Sequence, residues 1–161
     1  MTLDNNTIIY PLPTDKLLND EEKIWGIILP ESYKTFIKTY NGAIPIEKVF
    51  SSCNDSYVID RFLCILEKIK DKDLEKYDVD AVLIKNEENL TKNQCLIGIE
   101  LLPIALLSGL DLLCLDYRNC NDIPKICVWK NEESTLFNPI TEYVSDSISD
   151  FLNGECSKNI I

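Results

Sequence analysis

The chain has no histidine. Its absence removes the commonest general base near neutral pH, every Ser-His or Cys-His nucleophile arrangement and the commonest metal ligand. Arginine is almost missing as well: Arg61 and Arg118 stand alone among 16 basic residues, against 27 acidic ones. The resulting net charge of −11 repels phosphate backbones and anionic lipid, which argues against nucleic acid or a membrane surface as partner. It would draw in a basic protein, though acidity also serves solubility alone, and net charge locates no site. The five glycines (Gly26, Gly42, Gly98, Gly109, Gly154) are scattered, so there is no glycine-rich phosphate loop. No apolar run reaches the ~20 uncharged residues that a bilayer requires. Cys95 to Leu115 comes nearest, but Glu100, Pro103 and Asp111 interrupt it, and it reads as buried strands. Met1 to Asn6 carries no basic side chain and no apolar stretch follows, so no signal peptide is read and a cytoplasmic protein is expected.

What is present is enough for a core. At 161 residues, 45% hydrophobic and 27% charged, the chain reads as a single domain, 1–161, with its core between about residues 14 and 153. The seven cysteines (Cys53, Cys64, Cys95, Cys114, Cys120, Cys127, Cys156) are odd in number and mostly sit in apolar runs such as FLCIL and KICVW. They read as reduced, buried small hydrophobes. Cys114, Cys120 and Cys127 lack zinc-knuckle spacing, and Asp71-x-Asp73 lacks the glycine and glutamate of a calcium loop. No metal and no cofactor is expected. The carboxylate pairs Asp71/Asp73, Asp78/Asp80 and Glu87/Glu88 lie in charge-rich segments that read as hydrated, where nothing would tune them for acid–base work. No catalytic residue is assigned and an enzyme is disfavoured. Trp25 and Trp129 read as core residues.

Periodicity gives the elements. Thr14 or Asp15 caps a helix to about Trp25, with Glu21 and Glu22 facing solvent. After a break near Gly26, LPESYKTFIKTYNG (Leu29 to Gly42) is a second helix, with Pro30 as its first residue, Tyr33, Phe36, Ile37 and Tyr40 on one side, and Asn41-Gly42 as its stop. Ile44 to Phe50 and Ser56 to Leu66 form a hairpin around Cys53-Asn54-Asp55. Glu67 to Asp80 is an exposed loop or short helix, and Asp80 to Leu90 is weakly helical. Leu101 to Leu107 and Leu110 to Tyr117 are central strands, Asn119 to Asp122 a turn, and Lys125 to Lys130 a further strand. Pro139 opens a closing helix with Ile140, Tyr143, Val144, Ile148, Phe151 and Leu152 as its stripe. The N-terminal Thr2 to Thr7 is polar and expected to fray. Strands joined by short turns imply an α+β fold, a mostly antiparallel sheet with helices packed around it.

Three segments together resemble the SUKH superfamily, the fold of fungal cell-wall-assembly regulators of the Smi/Knr type and of many bacterial immunity proteins. In LPESYKTFIKTYNG the similar positions are Leu29, Pro30, Tyr33, Phe36, Tyr40, Asn41 and Gly42. In LLPIALLSGLDLLCLDYR they include Pro103 and Asp116, and in ICVWKNE the tryptophan Trp129. Asn131 stands where many members carry histidine, the glycine-rich turn is reduced to Ser108-Gly109-Leu110-Asp111, and residues 67–93 diverge. The resemblance implies an α+β domain that neutralises a cognate toxin by binding it. Many such toxins are nucleases with basic active surfaces, which carboxylates can occlude in place of phosphates. Asp71, Asp73, Glu75, Asp78, Asp80, Glu87 and Glu88 are the candidate contacts, chosen for charge density, although a solvated loop explains each one singly. A regulatory scaffold without a toxin partner, or a small-ligand binder using a groove between helices and sheet, is the alternative. Self-association stays open.

Overall fold

The computed structural model describes residues 1–119 and 123–155. Cys120, Cys156 and most of the expected turn at 119–122 lie outside the described residues. The order is β1 (Leu3–Asp4), α1 (Asp15–Trp25), α2 (Glu31–Tyr40), β2 (Ile44–Pro45), β3 (Val49–Ser51), β4 (Ser56–Phe62), α3 (Lys72–Glu75), α4 (Val79–Asn86), β5 (Leu101–Leu107), β6 (Leu112–Asp116), β7 (Lys125–Trp129), β8 (Thr141–Ser145) and α5 (Ile148–Asn153). β3 to β8 form one six-stranded sheet in chain order, every neighbouring pair antiparallel, and β1 pairs with β2 in a separate ribbon. The expected α+β architecture is present.

β5 and β6 are buried almost throughout, as their unbroken apolar runs require of strands covered on both faces. Pro103 sits inside this central strand, where a missing N–H would break a regular ladder; the β5–β6 register shifts between Pro103 and Ala105 to accommodate it. The sheet curls until its first hairpin meets its last strand. Tyr57 on β4 donates its hydroxyl to Glu142 on β8 at 2.7 Å, Ser52 bonds the same carboxylate, and Lys130 bridges Asp55 and Glu142. Phe50 on β3 meets Phe151 on α5 edge to face at 5.1 Å. Asp116 holds Arg118 through two side-chain hydrogen bonds, and the same guanidinium reaches Thr141 Oγ1 at 2.7 Å, tying β6 to β8.

Several expectations fail for identifiable reasons. The closing helix is two elements: 141–145 pairs with β7 as a strand, and only Ile148 onward is helical. Thr141, Tyr143 and Val144 are β-branched or aromatic and β7 offers an open edge, while Ser147 caps α5 by accepting the Asp150 N–H. The N-terminus does not fray. Leu3 and Ile9 are buried, and Arg61 donates to the carbonyls of Thr7 (2.5 Å) and Gly42 (2.6 Å). The expected hairpin strand at Ile44 is divided, its first two residues pairing with that N-terminal ribbon. Cys95 to Gly98 is exposed loop rather than strand. Cys53 and Cys95 are exposed, whereas Cys64, Cys114 and Cys127 are buried. Pro30 is the cap residue before α2 (φ −59, ψ 141), one position earlier than expected.

Asn41 and Gly42 join these parts. The Asn41 side chain is fully buried; its Nδ2 donates to the carbonyl of Ile9 at 3.0 Å, with those of Pro11 and Ile65 at 3.4 Å, and its Oδ1 accepts the Ile65 N–H at 2.8 Å. Gly42 has φ +67, and a Cβ there would lie 2.6 Å from Ile9 Cδ1 and 3.1 Å from Cys64 Cβ. Replacing Asn41 with Ala orphans a buried N–H and several carbonyls and is expected to cost about 3 kcal/mol. Gly42→Ala meets both a strained backbone and a filled space and should cost about 2 kcal/mol or more. Urea unfolding of the two variants measures both; a loss under 1 kcal/mol for either would show that this junction is not what holds the N-terminal segment down.

Candidate partner-binding site

The acidic residues singled out from sequence separate once they are placed. Asp78 is buried: its Oδ1 accepts the N–H groups of Asp80 (3.0 Å) and Ala81 (3.4 Å), capping α4, and its Oδ2 accepts that of Leu66 at 3.2 Å. The expectation of a hydrated segment fails there because the chain folds back on itself, with Cys64 and Asp78 bridged in parallel. Burial raises the Asp78 pKa, opposed by those N–H groups. Asp71 caps α3 by accepting the Asp73 N–H, and both are exposed with Glu75. Glu87 and Glu88 are exposed on the turn after α4, and Asp80 is half-buried.

Ion pairing covers only part of the acidic surface, and among the described residues Glu47, Asp60, Glu67, Glu132 and Glu133 are exposed and outside any ion pair just as the candidate contacts are. Asp15, Asp20, Glu22, Glu31, Asp55, Asp116, Glu142 and Asp146 each have a lysine or arginine in ion-pair contact. Among the described residues, none of Asp71, Asp73, Glu75, Asp80, Glu87 and Glu88 has one. No histidine, cysteine, aspartate or glutamate cluster there could hold a metal ion.

α4 divides two recesses. On one side Asp80, Leu83, Ile84 and Glu87, at helical spacing, face Ile24 and Trp25 of α1 and the segment carrying Leu90, Leu96, Ile99 and Glu100 across a groove of about 320 Å³. Ile24 and Ile84 are 73% and 72% exposed, and among the described residues no lysine or arginine lines the groove. Its floor is fixed by the Trp25 indole N–H donating to Asp80 Oδ1 at 2.8 Å and by the Ile99 N–H donating to the Trp25 carbonyl at 3.2 Å. On the other side Ala81, Val82, Lys85 and Asn86 face a recess of about 520 Å³ that also holds Lys72, Lys76, Glu75, Asp60, Asp111 and Asn131. The reduced turn lies here: Leu110 has φ +71 with its side chain exposed, Asp60 accepts the Ser108 hydroxyl proton, and Asp111 accepts the Asn131 N–H. The helix thus turns Lys85 to a recess lined by lysines and carboxylates together, and Asp80 with Glu87 to a groove lined by no described lysine or arginine. Only Asp80 and Glu87 of the predicted contacts meet in the apolar groove. Ile24, Ile84 and Leu96 were not identifiable from sequence, where an isolated apolar residue carries no mark of a site.

A SUKH family model (SUKH_6, SMI1-KNR4 cell-wall) matches residues 15–152. The chain belongs to the SUKH family. No curated protein and no solved structure was found that matches it. The SUKH motif residues have structural roles. Leu29, Tyr33, Phe36 and Trp129 are buried, Phe36 packs between Tyr40 and Phe62, and the Trp129 indole donates to the Asn89 carbonyl at 2.9 Å. No helix among the described residues is long and apolar enough to cross a membrane.

One further carboxylate in this SUKH protein departs from expectation. Glu21 is only 8% exposed, because positions 18, 21 and 25 share one face of α1, between Leu18 and Trp25. Glu22, expected in solvent, instead accepts the Leu29 N–H and pairs with Lys34 at 2.9 Å. Among the described residues Glu21 Oε2 has no hydrogen-bond partner. Burial, then the nearby Asp80, pushes its pKa up to about 7 from 4.5. A carboxyl raised on folding binds its proton more tightly in the native state, so its contribution is harmless below the unfolded pKa and destabilises as pH rises toward 7. Glu21→Gln is therefore expected to stabilise the protein by about 2 kcal/mol at pH 8 and to change little at pH 4. Melting curves across that range test it; a variant equally stable relative to the parent at both pH values would show that Glu21 ionises as freely as in the unfolded chain.

Proposed function

We propose that the protein is an immunity protein, which neutralises a cognate toxin by binding it and covering a basic working surface, with no bond made or broken by its own side chains. Family membership supports a binding role of this kind. The observation that carries the reading is the net charge of −11 together with the density of exposed carboxylates around α3 and the end of α4, where Asp71, Asp73, Glu75, Glu87 and Glu88 are in no ion pair among the described residues and Asp80 lies half-buried beside them. A toxin whose substrate is a phosphate polymer presents lysines and arginines spaced to receive such a surface. The partner is a protein, folded and basic, and the complex forms in the cytoplasm, where the toxin would otherwise act. A second reading, a regulatory scaffold inside the cell, draws on the cell-wall description of the matching family.

Co-expression with a toxin encoded beside this gene separates the two readings. Growth should be restored by the parent chain. Neutralising Asp71, Asp73, Glu75, Glu87 and Glu88 together as Asn and Gln should slow association of the purified partners about tenfold at low salt, the difference shrinking near 0.5 M salt as charges are screened. Cells that die while the folded protein accumulates, or association indifferent to both charge and salt, would refute neutralisation by this acidic surface.

A further inference from the structure

The groove between α1 and α4 combines three properties. It is apolar, its outermost isoleucines are exposed, and its rim carries Asp80, Glu87 and Glu100 with no lysine or arginine among the described lining residues. Isolated apolar side chains on a surface need no explanation, but Ile24 and Ile84 project from two helices over one recess, joined by Leu96 on the facing segment. Leu96 adopts φ +53, a conformation that disfavours a non-glycine residue, and its side chain is 40% exposed. The Asn93 side chain anchors that bend on both sides, donating to the Ile97 carbonyl and accepting the Cys95 N–H, each at 2.9 Å.

We propose that this groove is the docking site for a segment of a partner protein that presents an aliphatic or aromatic side chain beside a lysine or arginine. The apolar side chain would settle between Ile24, Leu83, Ile84 and Leu96, and the cation would lie against Asp80 and Glu87. Charge complementarity selects this occupant. Asp80 lies about one turn before Ile84 on α4, and Glu87, the residue that ends the helix, about one turn after it, so a cation next to an apolar anchor meets a carboxylate whichever way the segment runs. A second copy of this acidic chain would bring like charge to the rim. A free fatty acid would bring a carboxylate to the same place. A neutral apolar molecule would leave the rim unused, since Asp80 already accepts the Trp25 indole proton and Glu100 the Lys92 N–H. The inference takes from the proposed function only that the partner is a protein.

Selection of random dodecapeptides displayed on phage against the folded protein tests the site without any toxin. The selected sequences should pair leucine, isoleucine, phenylalanine or tryptophan with adjacent lysine or arginine. The best peptide, synthesised, should shift the indole N–H resonance of Trp25. It should bind at least tenfold more weakly to Ile84→Asp and to Asp80→Asn/Glu87→Gln, and unchanged to Lys85→Ala on the far side of α4. Ile84 is exposed, so its replacement leaves the core intact; circular dichroism of each variant confirms folding. Failure to enrich any peptide, enrichment of acidic or purely polar peptides, or binding insensitive to the Ile84 and Asp80/Glu87 variants would overturn the proposal. So would a homodimer in sedimentation that Ile84→Asp dissolves. An intact peptide site with no protection against a toxin would sink the immunity reading alone, and protection that survives loss of the peptide site would sink this docking site alone.

Discussion

One buried amide holds three separate stretches of this chain together. Asn41 ends α2, and its side chain both donates to and accepts from the backbone, so it behaves as a short piece of strand inserted between the N-terminal segment and residue 65. No other side chain of that size offers a donor and an acceptor in one plane. Aspartate would bring a charge into a site without water, and leucine would leave the Ile65 N–H without a partner. Gly42 follows because the backbone must turn at once, under Ile9 and against Cys64. The helix stop in the sequence is therefore also the point where the N-terminal ribbon and the end of β4 are fastened.

From that junction the polar groups of the interior are matched in small closed sets. Arg61 serves the carbonyls of Gly42 and Thr7, Asp78 serves two N–H groups at the start of α4 and that of Leu66, and Arg118 is gripped by Asp116 while it reaches Thr141. Each set lies where two elements distant in sequence must meet, and each would leave an unsatisfied group if one member were lost. Both arginines are used inside the molecule. The outer surface is left with lysine as its only basic side chain, a flexible point charge, and the matched acidic residues outside these sets are paired with it. Around α3 and the end of α4, Asp71, Asp73, Glu75, Glu87 and Glu88 stand exposed and in no ion pair among the described residues.

Local pattern carried the elements that depend on local pattern. Thr14 and Gly26 bracket α1, the apolar runs of β5 and β6 are central strands, and Trp129 is core because each of these rests on spacing or capping within a dozen residues. The stretch from Ile140 to Leu152 misleads because a strand and a short helix placed end to end can mimic one helical stripe; what decides it is the open edge of β7, which no local window contains. Glu21 misleads in the opposite way. Its charge argues for solvent, but its position between Leu18 and Trp25 puts it on the inner face, and helical spacing was the signal that outweighed chemistry. The acidic list drawn from 71–88 could not distinguish Asp78, a buried cap, from Asp80, two residues on, because only the fold-back of Cys64 onto Asp78 separates them.

α4 shows why net charge is a poor guide to a site and the placement of charge beside apolar surface a better one. The helix is eight residues long and carries one lysine and one aspartate, so its own charge is nil. What matters is that Lys85 turns to a recess where Lys72 and Lys76 meet Glu75, Asp60 and Asp111, whereas Asp80 and Glu87 line a groove with no described lysine or arginine. A field built this way points across the apolar groove instead of spreading over the whole surface. Asp80 has a structural use in accepting the Trp25 indole proton, but stability does not require the exposed Glu87 beside it, since an exposed carboxylate outside any ion pair contributes little to folding. Nor does solubility require it, since charge placed anywhere on the surface would serve. The arrangement is accounted for when the groove and its rim are read as one surface, shaped for a partner that brings both an apolar side chain and the missing positive charge.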